Sequence, residues 1–211
     1  MRALHELGQL IFPTRCFGCN EIGLSICSLC RSEWHPHYYL THVASLKVHS
    51  AILYSPTASK ILVAAKENGI RGADNLIIKA IIHVLEKADF ADFNIALVPI
   101  PSSVMAKRRR GRAFIVDIVD QIAQQTSLPI INALELVRPV RDQSGLHILE
   151  RSKNMSRAMR LRPGVIPRAD LLLIDDVVTT GATLHEAARA LRAAGAHVIG
   201  SVTACVAQPL R

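Results

Sequence analysis

Two carboxylates stand side by side at Asp175 and Asp176, and Thr179-Thr180-Gly181-Ala182-Thr183 follows two residues later. Paired acids can accept hydrogen bonds from neighbouring hydroxyls, as on a sugar diol. A Thr/Gly run that opens a helix offers backbone N–H groups to a phosphate. Together they suit a sugar phosphate. Two common phosphate loops are excluded: no Lys follows the last Gly as in a P-loop, and GxGxxG is absent.

A second chemistry sits near the start. Cys16-Phe17-Gly18-Cys19 and Cys27-Ser28-Leu29-Cys30 form a CxxC…CxxC array. Each knuckle turns two thiolates toward one ion, and two knuckles complete a tetrahedron. Gly18 and Gly23 are expected to supply the backbone freedom of these turns. The seven-residue spacer makes the module compact. Structural zinc is the first reading, an iron–sulfur cluster the second, and two disulfides the third, which a cytoplasmic compartment disfavours. With four protein ligands the site is structural and not catalytic. Cys205, in a late apolar strand, reads as a core thiol.

Two basic stretches complete the inventory. Pro99-Ile100-Pro101-Ser102-Ser103 ends an apolar strand and leads to Lys107-Arg108-Arg109-Arg110-Gly111-Arg112, an anion attractor or a solvated basic surface. The polar stretch from Arg138 through Arg141, Gln143 and Arg151 to Asn154 reads as a lid over an anionic ligand or as a surface loop.

These groups need a scaffold. Leu171-Leu172-Leu173-Ile174 reads as a strand buried on both faces of a parallel sheet, with the acids where it emerges. Leu184, Ala187, Ala188 and Leu191 fall on one helical face; Thr183 to Glu186 fits a capping box, and Gly195 fits a C′ position. Further strands are expected at 48–54, 94–98, 131–137 and 197–206, and helices at 58–65, 72–90 and 113–125. Ligands of such sheets bind at the carboxyl ends of strands, so the turn at 99–103 and the acids should share one side. Residues 34–40 read as a link with aromatic packing.

The chain has 211 residues, half of them hydrophobic, which suits one domain plus a small appendage. Residues 1–45 are assigned to an N-terminal helix and the four-Cys module, and 46–211 to the main domain. The net charge of +8 favours an anionic partner, either a polyphosphate or nucleic acid. No run approaches about 18 apolar residues, so no membrane span is expected. Residues 1–12 are apolar but contain His5 and Glu6 and lack a small-residue cleavage site. They read as an amphipathic helix packing through Leu4, Leu7 and Ile11, and a cytoplasmic location is expected.

Taken in order, these motifs resemble the ComF family, the competence-protein relatives of type I phosphoribosyltransferases. The resemblance rests on the four-Cys module, Lys66-x-x-Gly69, the Pro-Ile-Pro turn with its Arg-Arg-Gly run, Gln143-x-Gly145-Leu146…Arg151-x-x-Asn154, and Asp175 to Thr183. It implies an α/β type I phosphoribosyltransferase fold, with a mostly parallel sheet flanked by helices. The implied ligand is 5-phosphoribosyl-1-pyrophosphate (PRPP) with magnesium. By matching position, Asp175 and Asp176 would hold the ribose diol and residues 179–183 the 5-phosphate. Lys66, residues 99–103, Arg109 and Arg110 would face the pyrophosphate. The reaction implied is transfer of phosphoribose to a nitrogenous acceptor. The competence relation implies the alternative of single-stranded DNA handling and a competence helicase partner. Two departures stand out. Many members carry Gly-Phe-Asn-Gln after the Arg run, whereas here it is Gly111-Arg112-Ala113-Phe114. Where the hypoxanthine-guanine type places a further Asp after the acids, this chain has Thr179, a poor base at neutral pH, which disfavours that purine chemistry.

Overall fold

The computed structural model describes residues 13–140 and 148–207. The expected N-terminal helix, Arg141, Gln143 and the side chain of Arg151 lie outside the described residues. Five strands form the central sheet: β1 (Tyr39–Val43), β2 (Leu46–Leu53), β3 (Ile95–Pro99), β6 (Asp170–Val178) and β7 (Val198–Val206). Their order is β1-β2-β7-β6-β3, with β1 antiparallel to β2 and every other pair parallel. A two-stranded antiparallel sheet, β4 (Leu134–Leu136) with β5 (Met159–Leu161), stands apart. Among the described residues the helices are α1 (Ser28–Glu33), α2 (Pro56–Lys66), α3 (Arg71–Lys87), α4 (Val104–Arg110), α5 (Phe114–Thr126), α6 (Ile148–Met155) and α7 (Ala182–Ala193).

The apolar run of β6 explains the layering. Alternate side chains of a strand point to opposite faces. Leu172 and Ile174 join a core with Ile61 of α2, Ile77 and Ile81 of α3 and Ile118 of α5. Leu171 and Leu173 join a second core with Leu184 and Leu191 of α7 and with Leu134 and Met159. Both faces are thus covered, as the unbroken run requires. Gly195 at φ 79° ends α7, with Ala196 N–H bonding Leu191 C=O and Gly195 N–H bonding Arg192 C=O, the Schellman arrangement.

Three expectations change. The acids lie inside β6, because β6 continues beside β7 to Val178 while its pairing with β3 stops at Ile174. Beyond Ile174 one edge of β6 is therefore open, and the acids occupy that stretch. The strand expected over 131–137 shrinks to β4. Ile130 bridges Leu97 once, and the chain then leaves because Ala133 and Leu134 bury against Met155 and Met159 rather than along β3. Part of the expected link is strand β1. β1 begins at Tyr39, five residues after Trp34, the chain's one Trp, whose side chain is buried.

Among the described residues, the four-Cys segment shares the core of the main domain. Cys16, Ile26, Cys30 and Trp34 pack into the cluster that contains Ile61 and Ile77. Phe17 lies on Gly72 of α3, where an added Cβ would come within 2.8 Å of its ring. No described helix is long and apolar enough to cross a membrane.

Candidate functional site

A cavity of about 800 Å³ opens at the carboxyl ends of β3 and β6. Among its lining are Lys66, the turn from Ile100 to Ser103, Arg109 with Arg110, Pro139 with Val140, and Asp175 through Thr183. Two residues expected at a ligand stand away from it. Pro99 is held in β3 opposite Ile174. Arg138 donates from Nη2 to the carbonyls of Asn154 at 2.9 Å and Ser156 at 2.7 Å, so it fastens the chain after α6 instead of facing the cavity.

At the acid end, both carboxylates are buried. Lys66, in the last turn of α2, places Nζ 2.7 and 2.9 Å from the two oxygens of Asp176. Asp175 accepts the Asp176 backbone N–H at 2.9 Å. The two acids are driven apart in acidity. Burial, reinforced by the Asp176 charge, pushes Asp175 well above the usual carboxylate range. Burial acts on Asp176 too, but the Lys66 ammonium overrides it and holds this carboxyl below that range. Desolvation disfavours the Lys66 charge, yet Asp176 and then Asp175 raise its pKa overall. Asp175 therefore holds its proton more tightly than an ordinary carboxyl, beside an Asp176–Lys66 ion pair.

The loop that follows turns at Gly181, whose φ of 74° is left-handed. A side chain here would also overlap Val43 of β1, so glycine is required twice over. The expected capping box does not form: the N-cap of α7 is Gly181, which has no side chain, and Thr180 Oγ1 one residue earlier accepts the Ala182 N–H at 3.4 Å. Glu186 instead points inward, accepting Met159 N–H at 3.0 Å and pairing with Arg189 at 2.7 Å, which ties α7 to β5. The helix N-terminus faces the cavity with its dipole unopposed by an acid in the first turn.

At the arginine end, Ser103 caps α4 by accepting Ala106 N–H at 3.2 Å, and left-handed Gly111 stops the helix. The basic run divides there. Arg110 donates Nε and Nη2 to Glu67 Oε1 at 3.0 and 2.7 Å, and Arg109 Nη2 reaches Oε2 at 3.1 Å. Arg112 turns away, gripping buried Asp74 at 2.8 and 3.0 Å and stacking 4.9 Å from the Phe114 ring centroid. At the two positions where the resemblance leads one to expect Asn and Gln stand Ala113 and Phe114, and Phe114 is buried beneath Arg112. Sequence reasoning missed Glu67. Its one signal was adjacency to Lys66, and its partners are 42 and 43 positions away.

In the four-Cys cluster the sulfurs all lie within 4.8 Å of one another, and Cys19 and Cys27 Sγ are 3.7 Å apart. Zinc–thiolate bonds of about 2.3 Å put tetrahedral sulfurs roughly 3.8 Å apart, so the residues fit such an ion. Burial, then its three Cys neighbours, push the Cys30 thiol up to about 12. Those sulfurs cannot all ionise without a cation among them. None of the five cysteines is in a disulfide. Gly18 owes its identity to close approach rather than to backbone freedom, since a Cβ would sit 2.6 Å from Cys30 Sγ. Gly23, at φ 132°, does need that freedom.

Sheet order, the cavity at the strand ends and the Asp-Asp loop define an α/β protein of the phosphoribosyltransferase class. Residues 74–209 match the family described as phosphoribosyl transferase domain, and the chain belongs to that family. It is also 33% identical over 111 residues to "Competence protein F" of Haemophilus influenzae, a ComF-like likeness covering 49% of this chain and 47% of that protein. The match thus spans about half the length of this curated relative. Solved structures similar to the chain include orotate phosphoribosyltransferase from Aeropyrum pernix, at 13% identity and a TM-score of 0.41, covering 83% of this chain and 78% of that one. Adenine phosphoribosyl transferase from Trypanosoma brucei, in complex with AMP, pyrophosphate and ribose-5-phosphate, is 14% identical with a TM-score of 0.42, covering 87% and 82%.

Proposed function

We propose that the cavity binds PRPP and that the protein transfers its phosphoribosyl group to a nitrogenous acceptor. The observation supporting this is that paired acids, a helix-opening Thr/Gly loop and two arginines border one cavity. The acids would take the ribose diol, with Asp175 able to donate as well as accept while it carries its proton. Residues 179–183 would take the 5-phosphate, and Arg109 and Arg110 the pyrophosphate. In the reaction the acceptor nitrogen forms a bond to C1 and loses its proton. The C1–O bond breaks, and its electron pair leaves with pyrophosphate. Arg109 and Arg110 would stabilise that developing charge. Both Asp176 oxygens are engaged by Lys66, so magnesium would lean on substrate oxygens and water, neutralising phosphate charge when bound.

The test is PRPP titration of wild type beside Asp175→Asn/Asp176→Asn, with pyrophosphate assayed across a panel of nitrogenous acceptors. Binding lost in the variant and pyrophosphate released by wild type are expected. Tight binding with no release on any acceptor would leave a PRPP-sensing protein instead.

A second reading, single-stranded DNA handling, draws on the net charge of +8 and on the name of the Haemophilus relative. It predicts an affinity that falls steeply with salt, and no binding at low salt removes it. Aromatic residues make up only 4% of the chain, which leaves few bases to stack, with exposed Tyr38 among them. For the four-Cys cluster we propose structural zinc. Chelation should then red-shift Trp34 emission, because Trp34 packs in the same cluster as Cys16 and Cys30. Metal analysis distinguishes zinc from an iron–sulfur cluster.

A further inference from the structure

We infer that Glu67 sets the affinity of the arginine end for pyrophosphate, by occupying Arg109 and Arg110 until a stronger anion displaces it. This rests on the PRPP reading above. One carboxylate serves two guanidinium groups: Oε1 takes both Nε and Nη2 of Arg110, and Oε2 takes Nη2 of Arg109. The carboxylate bridges the two guanidinium groups, one oxygen to each, as an anion with several oxygens can, so Glu67 stands where a phosphate group would. All three residues line the cavity. Burial works against the Glu67 charge, but Arg110 and then Arg109 lower its pKa, so the competing group is a carboxylate at neutral pH.

The clasp is built to open. Glu67 follows the last residue of α2, and its side chain is about one-third exposed. Arg109 is more exposed still. Arg110, by contrast, is only 7% exposed, so the Arg109 half of the clasp opens at little cost to the fold and the Arg110 half needs an anion to take Glu67's place. A weakly charged anion gains too little to displace a carboxylate held by two arginines. A pyrophosphate group carries more charge and can engage both guanidinium groups at once. Glu67 thereby sets how strong an anion must be to occupy the arginine end, which the diphosphate end of the substrate can be.

Calorimetric titration of wild type, Glu67→Gln and Glu67→Ala with inorganic pyrophosphate, PRPP and ribose 5-phosphate tests this. Both variants should bind pyrophosphate and PRPP about fivefold tighter, which corresponds to roughly 1 kcal/mol. Ribose 5-phosphate, whose phosphate belongs to the loop at 179–183, should be unchanged. A wild type that binds neither PRPP nor pyrophosphate while Glu67→Gln binds both would support the inference more strongly. Unchanged or weaker pyrophosphate binding in Glu67→Gln, with PRPP still bound by wild type, overturns the inference alone and makes Glu67 a brace for the arginines. Equal tightening of all three ligands overturns it as a general charge effect. No binding by any of the proteins removes both the inference and the PRPP reading.

Discussion

The two ends of the cavity are neutralised by consecutive residues of one helix end, yet in different surroundings. Lys66, 27% exposed, pairs with an Asp176 side chain that is 4% exposed, whereas Glu67, 32% exposed, is shared between Arg110 at 7% and Arg109 at 54%, so the contrast is sharpest at Arg109. Charge pairing is the same in kind; solvent decides what it is worth. Breaking a buried pair strands a charge in low dielectric and costs about 3–5 kcal/mol. Breaking an exposed one costs about 0–1 kcal/mol. The end of α2 is thus anchored at the acids and most releasable at Arg109. On the PRPP reading proposed above, the acid half would stay in place while Arg109 exchanges partners.

The sharpest way to break this contrast is Lys66→Met. It should destabilise the protein by about 3 kcal/mol in urea unfolding, because Asp176 is left buried without its cation. Adding Asp176→Asn should restore most of that loss, since the stranded charge is gone. If Lys66→Met costs no more than Arg109→Ala, the two ends do not differ. Arg112→Ala extends the comparison within the basic run, because its partner Asp74 is 5% exposed. It should cost about 2–3 kcal/mol, and ligand binding should be unaffected in the folded fraction.

A smaller effect of opposite sign is expected at Asp175. Its folded pKa is raised by burial and then by Asp176, so above the unfolded value the unfolded chain gives up this proton first. Stability from this group is full below the unfolded pKa of 3.8 and is lost as pH rises through the folded one. Asp176 works the other way: its lowered pKa gives stability above 3.8 that is lost as pH falls through the folded value. Asp175→Asn keeps an acceptor for the Asp176 N–H but removes the proton linkage. It should stabilise the protein by about 1 kcal/mol at pH 7, flatten the stability profile above pH 4 and weaken PRPP binding. A profile as steep in the variant as in wild type would place the linkage elsewhere.

The same contrast explains what could be read from the chain. Leu171 to Ile174 announced a doubly covered strand because burial on both faces demands an unbroken apolar run. The acids and the loop at 179–183 were legible because their chemistry is local: each lies beside the next. Partners were not. Lys66 and Asp176 are 110 residues apart, and nothing in Lys66-Glu67-Asn68-Gly69 says which acid or arginine it meets. The run from Lys107 to Arg112 looked uniform, yet Gly111 ends the helix and turns Arg112 onto Asp74 while Arg109 and Arg110 face the cavity. The Thr183–Glu186 pattern failed for the same reason: Glu186 found a better site on the Met159 backbone, a contact 27 residues distant. Local pattern located the chemistry, and tertiary pairing decided which charges remained with it.

Arg109→Ala carries the smallest stability change and separates the two roles that charge plays here. Arg109 is the more exposed of the two arginines, with Arg110 only 7% exposed. Its removal should shift unfolding by less than about 0.5 kcal/mol. Glu67 would still be held through two bonds from Arg110. For a pyrophosphate, however, Arg109 supplies half of the guanidinium donors, and binding should weaken about tenfold, as expected for losing one charged hydrogen bond. A matching loss in Glu67→Gln/Arg109→Ala, measured from the tighter single variant, would make the arginine contribute independently of its carboxylate. If Arg109→Ala instead lowers stability as much as Arg112→Ala, the arginine end is as rigid as the acid end, and a clasp that opens for the diphosphate has no place there.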